Sequence, residues 1–120
     1  DYNDKPVIFC DIDGTIIKNQ GRVSPNSWDD EPIPLQKNIK RLLALQQQGS
    51  QFIFTTARPR AYEFKTSKML YDLGFRDFDL IVGLQNARRI VINDYNKTFI
   101  LVDANRGWTN QNRWARLAST

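Results

Sequence analysis

Asp11 and Asp13 stand one residue apart in the stretch Phe9-Cys10-Asp11-Ile12-Asp13-Gly14-Thr15, at the end of an apolar run and against a glycine. Negative charge concentrated where a strand should stop suits nucleophilic attack, proton transfer or the holding of a hard cation. The chain contains no histidine, which excludes Ser-His-Asp triads, histidine zinc sites and phosphohistidine intermediates. Any acid or base must therefore be a carboxylate, a lysine or a tyrosine. A calcium loop of the EF-hand type fails on spacing, because it needs glycine at its sixth position and a further ligand at its fifth, where Thr15 stands. A cysteine phosphatase built on Cys10 fails as well, since the arginine it requires six positions later is Ile16.

The elements that must position these carboxylates are legible as apolar runs and helical spacings. Val7 to Cys10 reads as a buried strand feeding a loop. Gly14 to Pro34 is polar and broken by Gly21, Pro25, Pro32 and Pro34, which suggests a flap or hairpin. Leu35, Ile39, Leu42 and Leu43 follow helical spacing, with Gly49 as the stop, and Phe52 to Phe54 form a second strand. A second helix is expected from about Arg60 to Leu73, stopped by Gly74. Leu80 to Val82, Ile90 to Ile92 and Phe99 to Val102 read as further strands. The fold class expected is α/β, a Rossmann-like three-layer sandwich whose mostly parallel sheet of about five strands is covered on both faces. Ligands of such sheets bind beyond the carboxyl ends of the strands, where Asp11, Thr56 and Asp94 would converge.

The set Asp11-Ile12-Asp13-Gly14-Thr15, Thr56 within Phe54-Thr55-Thr56-Ala57-Arg58, and Asp94 within Ile92-Asn93-Asp94 resembles, in that order, the motifs of the haloacid dehalogenase superfamily. The resemblance spans about Val7 to Val102. It implies a magnesium-dependent phosphatase in which Asp11 is the nucleophile, forming an aspartyl-phosphate, and Asp13 is the general acid and base. It implies Mg2+ held by Asp11, Asp94 and the carbonyl of Asp13, and phosphate bound by Thr56 with its neighbours Ala57 and Arg58. The family places a lysine shortly before the last acidic motif, but here the stretch Gly83 to Arg89 has none. Arg89 is the preferred source of that charge, with Arg88, Lys65 and Lys68 as alternatives. For Arg58 a structural ion pair stands beside the substrate role. Asn93 occupies a position that often carries a second acid in the family. The gap Gly14 to Pro34 fits only a flap, and Pro59 to Arg89 is filled by a helix and a strand, so no cap domain is expected and the site should be open.

Composition bounds the rest. With 120 residues, 41% hydrophobic and 25% charged, the chain reads as one domain over 1–120, with a flap region at 14–34 and a tail at 106–120. Trp108, Arg113, Trp114 and Arg116 of the tail are expected to pack back on the sheet. The formal charge of +4 suits an anionic substrate but falls short of a nucleic-acid signature. No apolar run approaches the roughly 20 residues of a membrane span, and the start lacks signal-peptide character. With the single cysteine, Cys10, this gives the expectation of a soluble cytoplasmic protein. The expected partner is a phosphorylated small molecule, such as a sugar phosphate, or a phosphorylated polymer end, as for a polynucleotide 3′-phosphatase. A homo-oligomer covering the open site is a further expectation. The competing expectation is a degenerate member that binds phosphate or nucleic acid without turnover.

Overall fold

The computed structural model describes residues 4–19, 27–94 and 101–105. The described chain runs β1 (Val7–Asp11), a 3-10 turn (Ser27–Asp29), α1 (Gln36–Gln47), β2 (Gln51–Thr55), a second 3-10 turn (Arg60–Tyr62), α2 (Glu63–Asp72) and β3 (Asp79–Ile81). The three strands form a parallel sheet in the order β1-β2-β3, with Val7 opposite Gln51, Asp11 opposite Thr55 and Thr55 opposite Ile81. This is a Rossmann-like α/β arrangement, as the alternation of strand and helix signals predicts.

Both helices stop where the glycines predict, and by the same device. Gly49 and Gly74 take φ of +107° and +114°, values a residue with a Cβ adopts at a cost. Beyond them Ser50 N–H donates to the Leu45 carbonyl and Phe75 N–H to the Leu70 carbonyl, each closing the end of its helix before the chain turns toward the next strand. Ile39, Leu42 and Leu45 of α1 and Leu70 of α2 are buried against Cys10, Phe52, Phe54 and Phe75. Phe54 meets Phe75 edge-on at 4.9 Å and Phe78 at 5.5 Å between ring centroids. Each buried phenylalanine contributes about 1.5–3 kcal/mol of transfer free energy, which makes this aromatic group the main anchor of the sheet.

The structure differs from expectation in three ways. Strands added in sequence order by right-handed crossovers send both connecting helices to one face. Ile8, Cys10, Phe52 and Phe54 point to that covered face, while Val7, Phe9 and Ile81, on the other, are 48%, 58% and 45% exposed. Among the described residues the sheet is therefore covered on one face, where two were expected. Ile90 to Ile92 pairs with no strand among the described residues, and Ile90 and Ile92 are 83% and 94% exposed. Its β-branched side chains favour a strand only where a neighbouring edge supplies hydrogen bonds and packing, and none of the described strands does so. Of the expected strand Phe99 to Val102, Leu101 and Val102 carry no ladder and the rest lies outside the described residues, as does the tail at 106–120. The described residues thus form three of the about five strands expected.

The flap closes at its base. Lys18 N–H donates to the Ile33 carbonyl and Leu35 N–H to the Ile16 carbonyl, both over 2.8 Å. Beyond that base Trp28 meets Tyr62 edge-on at 5.5 Å, Lys65 pairs with Asp29 at 3.2 Å, and the Tyr62 hydroxyl donates to Asp29. These contacts carry the end of the flap across to the start of α2. No helix among the described residues is long and apolar enough to cross a membrane.

Candidate active site at the carboxyl edge of the sheet

β1 ends at Asp11, and a tight turn carries the chain past Asp13. Ile12, between the two acids, is fully buried, and its carbonyl accepts from the N–H groups of Thr15, Ile16 and Ile17. Gly14 supplies the left-handed step, at φ +88°, that lets the chain fold back. Burying Ile12 turns its neighbours outward: the side chains of Asp11 and Asp13 remain 47% and 26% exposed. The bridge between Asp13 and Ile17 uses the Ile12 carbonyl and the Gly14 N–H, so the Asp13 carbonyl takes no part in it.

The register of β1 on β2 brings the second group to the same edge. Asp11 lies opposite Thr55, so Thr56 follows one step beyond. Thr56 is held by its N–H to the Ile81 carbonyl and by its own carbonyl, which accepts from Leu84. Its hydroxyl accepts from the Arg58 N–H over 3.0 Å, the local turn that serine and threonine favour at strand ends. Ala57, half-buried, lies between them.

Arg58 turns inward. Its Nε and Nη2 donate to Oδ2 and Oδ1 of Asp13 over 3.0 and 2.8 Å, and its Nη1 donates to the Thr66 hydroxyl of α2 over 3.3 Å. The guanidinium is thus spent on protein groups, the ion-pair alternative that the sequence left open.

Arg89 stands with Nη2 4.0 Å from Oδ1 of Asp11. The other candidates for that charge are engaged elsewhere or turned outward: Lys65 pairs with Asp29, Lys68 with Asp72 at 2.7 Å, and Arg88 is exposed. Burial raises the Asp11 carboxyl above its ordinary value. The Ile12 N–H, the Arg89 charge and the Thr15 hydroxyl pull it down, and the Asp13 charge pushes it up. Cys10 behind it is inert: burial, then the Asp11 charge, pushes its thiol up to about 12.

Asp94 is exposed, and its N–H donates to the side-chain oxygen of Asn93. Among the described residues no three acidic or other ligating side chains are grouped to hold a metal ion, so Asp94 is not brought together with Asp11 and Asp13. The donor chemistry at Asp11 nevertheless suits Mg2+, which takes one or two carboxylates and fills its remaining positions with carbonyl, water and phosphate oxygens. The exposed Asp11 carboxylate and the carbonyl of Asp13 are hard oxygens of that kind.

Three residues without a place in the sequence motifs also hold the site. Asn38 donates its amide to the Thr15 carbonyl over 2.8 Å and to the side-chain oxygen of Asn105, while Asn105 donates to the Gly14 carbonyl. Thr66, fully buried, anchors Arg58. The signal was present in the periodicity. Asn38 shares the buried stripe of Leu42 and Leu45, and Thr66 that of Leu70, and a polar residue on a core stripe implies a buried partner.

A family model described as haloacid dehalogenase-like hydrolase matches residues 8–101. No curated protein and no solved structure matches the chain.

Proposed function

The chain belongs to the haloacid dehalogenase-like hydrolase family, and from that premise we propose that it is a magnesium-dependent phosphomonoesterase without a cap domain, working through an aspartyl-phosphate. The observation that carries this reading is the pair Asp11 and Asp13 at the carboxyl edge of the sheet, each faced by its own arginine: Arg89 at 4.0 Å and Arg58 at 2.8 Å.

Asp11 attacks phosphorus as the bond to the leaving oxygen breaks, and Asp13 gives that oxygen its proton. Asp13 then takes a proton from the water that hydrolyses the Asp11 ester and returns Asp11 to its starting form. General acid and base assistance of this kind is worth roughly 10²–10⁴ in rate. The Arg89 charge lowers the repulsion between the Asp11 carboxylate and the incoming phosphate. Thr56, whose hydroxyl already accepts from Arg58, has its proton left for a phosphate oxygen, and the Ala57 N–H is a second donor beside it. Mg2+ would be held by Asp11 and the carbonyl of Asp13, with Asp94 as a ligand that must be brought to them, and would supply charge neutralisation.

The substrate class is a phosphorylated small molecule or a phosphorylated polymer end. An uncapped site admits either, and a neighbouring subunit could cover it. Burial of the lone cysteine supports a reducing, cytoplasmic setting. The second reading, a domain that binds phosphate or nucleic acid without turnover, is favoured by the failure of Asp94 to group with Asp11 and Asp13.

The deciding experiment is release of inorganic phosphate from p-nitrophenyl phosphate with Mg2+, with EDTA and Asp11→Asn as controls. Turnover abolished by both supports the enzyme. A folded, Mg2+-loaded protein that releases nothing supports the binding domain. A panel of sugar phosphates and 3′-phosphorylated oligonucleotides then assigns the substrate, and steep loss of rate with added salt marks the polymer.

A further inference from the structure

We propose that Arg58 is a positioning residue for Asp13, and that Thr66 fixes Arg58 in turn, so that a buried relay from α2 aims the proton-carrying carboxyl. The inference rests on the reading of Asp13 as general acid. Asp13 sits in a turn, on a side chain 26% exposed, and a carboxylate there would swing about two torsions. Arg58 removes both freedoms, because Nε and Nη2 each hold one carboxylate oxygen and so fix the plane and direction of the group. A surface ion pair would do this poorly, being soft and screened. Here the guanidinium side is 6% exposed, and Nη1 is tied to the fully buried Thr66. The backbone is fixed as well: Arg58 N–H donates to the Thr56 hydroxyl, and the Arg58 carbonyl accepts from Gly83 over 2.7 Å.

Occupied in this way, Arg58 acts through Asp13, where a phosphate ligand would act on the substrate directly. A carboxyl offers about four lone-pair sites, and Arg58 uses two. The protonated carboxyl carries its proton on one of the remaining sites, gives it to the leaving oxygen as the phosphorus–oxygen bond breaks and is left ionised, and the attacking water restores that proton in the second half of the cycle. Help from such a proton matters in proportion to the basicity of the leaving oxygen: an aryl oxide departs nearly unaided, whereas an alkoxide needs it.

The test compares kcat/KM, which reports formation of the aspartyl-phosphate and not its common hydrolysis, for p-nitrophenyl phosphate and an alkyl phosphate in wild type, Arg58→Met and Thr66→Val. Arg58→Met is expected to lower kcat/KM on the alkyl ester by about 10²-fold or more, and on the aryl ester by less than about tenfold. Thr66→Val is expected to show the same selectivity, about tenfold on the alkyl ester. Equal losses of kcat/KM on both esters would mean a structural or a phosphate-binding role, and either overturns the proposal. If Arg58→Met proves unfolded by circular dichroism, the selectivity of Thr66→Val decides alone, in the same two directions. Wild-type inactivity on both esters would sink the phosphatase reading, and this inference with it. An active wild type with unselective variants sinks only this inference.

Discussion

Asn38, in the first turn of α1, donates its side-chain amide to the carbonyl of Thr15 over 2.8 Å, and so ties the helix to the turn that presents Asp11 and Asp13. Asn105 completes the clasp from the far end of the described chain by donating to Gly14. Because Asn38 is buried, its removal leaves carbonyl groups without a partner, at a cost of about 1–3 kcal/mol. Asn38→Ala is therefore expected to lower the unfolding free energy read from urea denaturation by that amount and to reduce turnover. A variant as stable as wild type would mean that the clasp does not hold the turn.

The separation of 4.0 Å between Arg89 and Asp11 is too long for a hydrogen bond, so what Arg89 offers is charge without a fixed fork. Replacement by lysine should then retain activity within about tenfold, whereas Arg89→Met should lose about 10²-fold in kcat. Lys68→Ala, which removes only an exposed pair with Asp72, is expected to leave activity within about twofold and stability within about 1 kcal/mol. Steady-state kinetics on the three variants check the assignment. A Lys68 variant as damaged as the Arg89→Met variant would reverse it.

Asp11 carries a raised carboxyl, and the sign of its effect follows. A carboxyl harder to ionise in the folded than in the unfolded chain favours folding most below its ordinary value of 3.8, and that contribution is lost as pH rises through the folded value. At neutral pH the ionised Asp11 is thus a liability to the metal-free protein. Asp11→Asn should abolish turnover and at the same time raise Tm at pH 7 in EDTA. Melting curves showing an unchanged or lowered Tm would contradict the burial argument.

Cys10 makes the alkaline counterpart. Its thiol moves from 9.0 in the unfolded chain to about 12, so its contribution to stability is complete below pH 9 and is lost as pH rises toward the folded value. Native protein at pH 8 should resist iodoacetamide until denaturant is added. Rapid alkylation without denaturant would show the thiol to be accessible.

Mg2+ that binds the folded chain and not the unfolded one raises Tm by mass action. Millimolar Mg2+ should give such a rise in wild type, a smaller one in Asp94→Asn and none in Asp11→Asn. An Asp94→Asn variant with the full wild-type response would remove that residue from the ligand set.

Much of this arrangement was legible in the chain. Asp11, Thr56 and the two stopping glycines were readable because each marks a place where a periodic run must end, and the structure puts Asp11 and Thr56 at one sheet edge through the register of two strands. Arg89 could be preferred but not fixed by sequence, because a charge carried over a loop depends on where the loop folds. The relay from Thr66 through Arg58 to Asp13 joins residues 45 positions apart at its longer step, and only packing reveals it. Ile90 to Ile92 misled for the opposite reason: β-branched residues announce a preference for a strand, but a strand exists only where an edge accepts it.

The closed base of the flap has an evolutionary corollary. Ile16 and Ile17, which fasten that base, also complete the turn beneath Asp13, so the closure of the flap and the turn of the carboxylates share two residues. Doubling the length of a loop whose ends are already clamped costs only about 0.6 kcal/mol. The length and sequence of that arm can therefore change while the turn that carries Asp11 and Asp13 stays as it is.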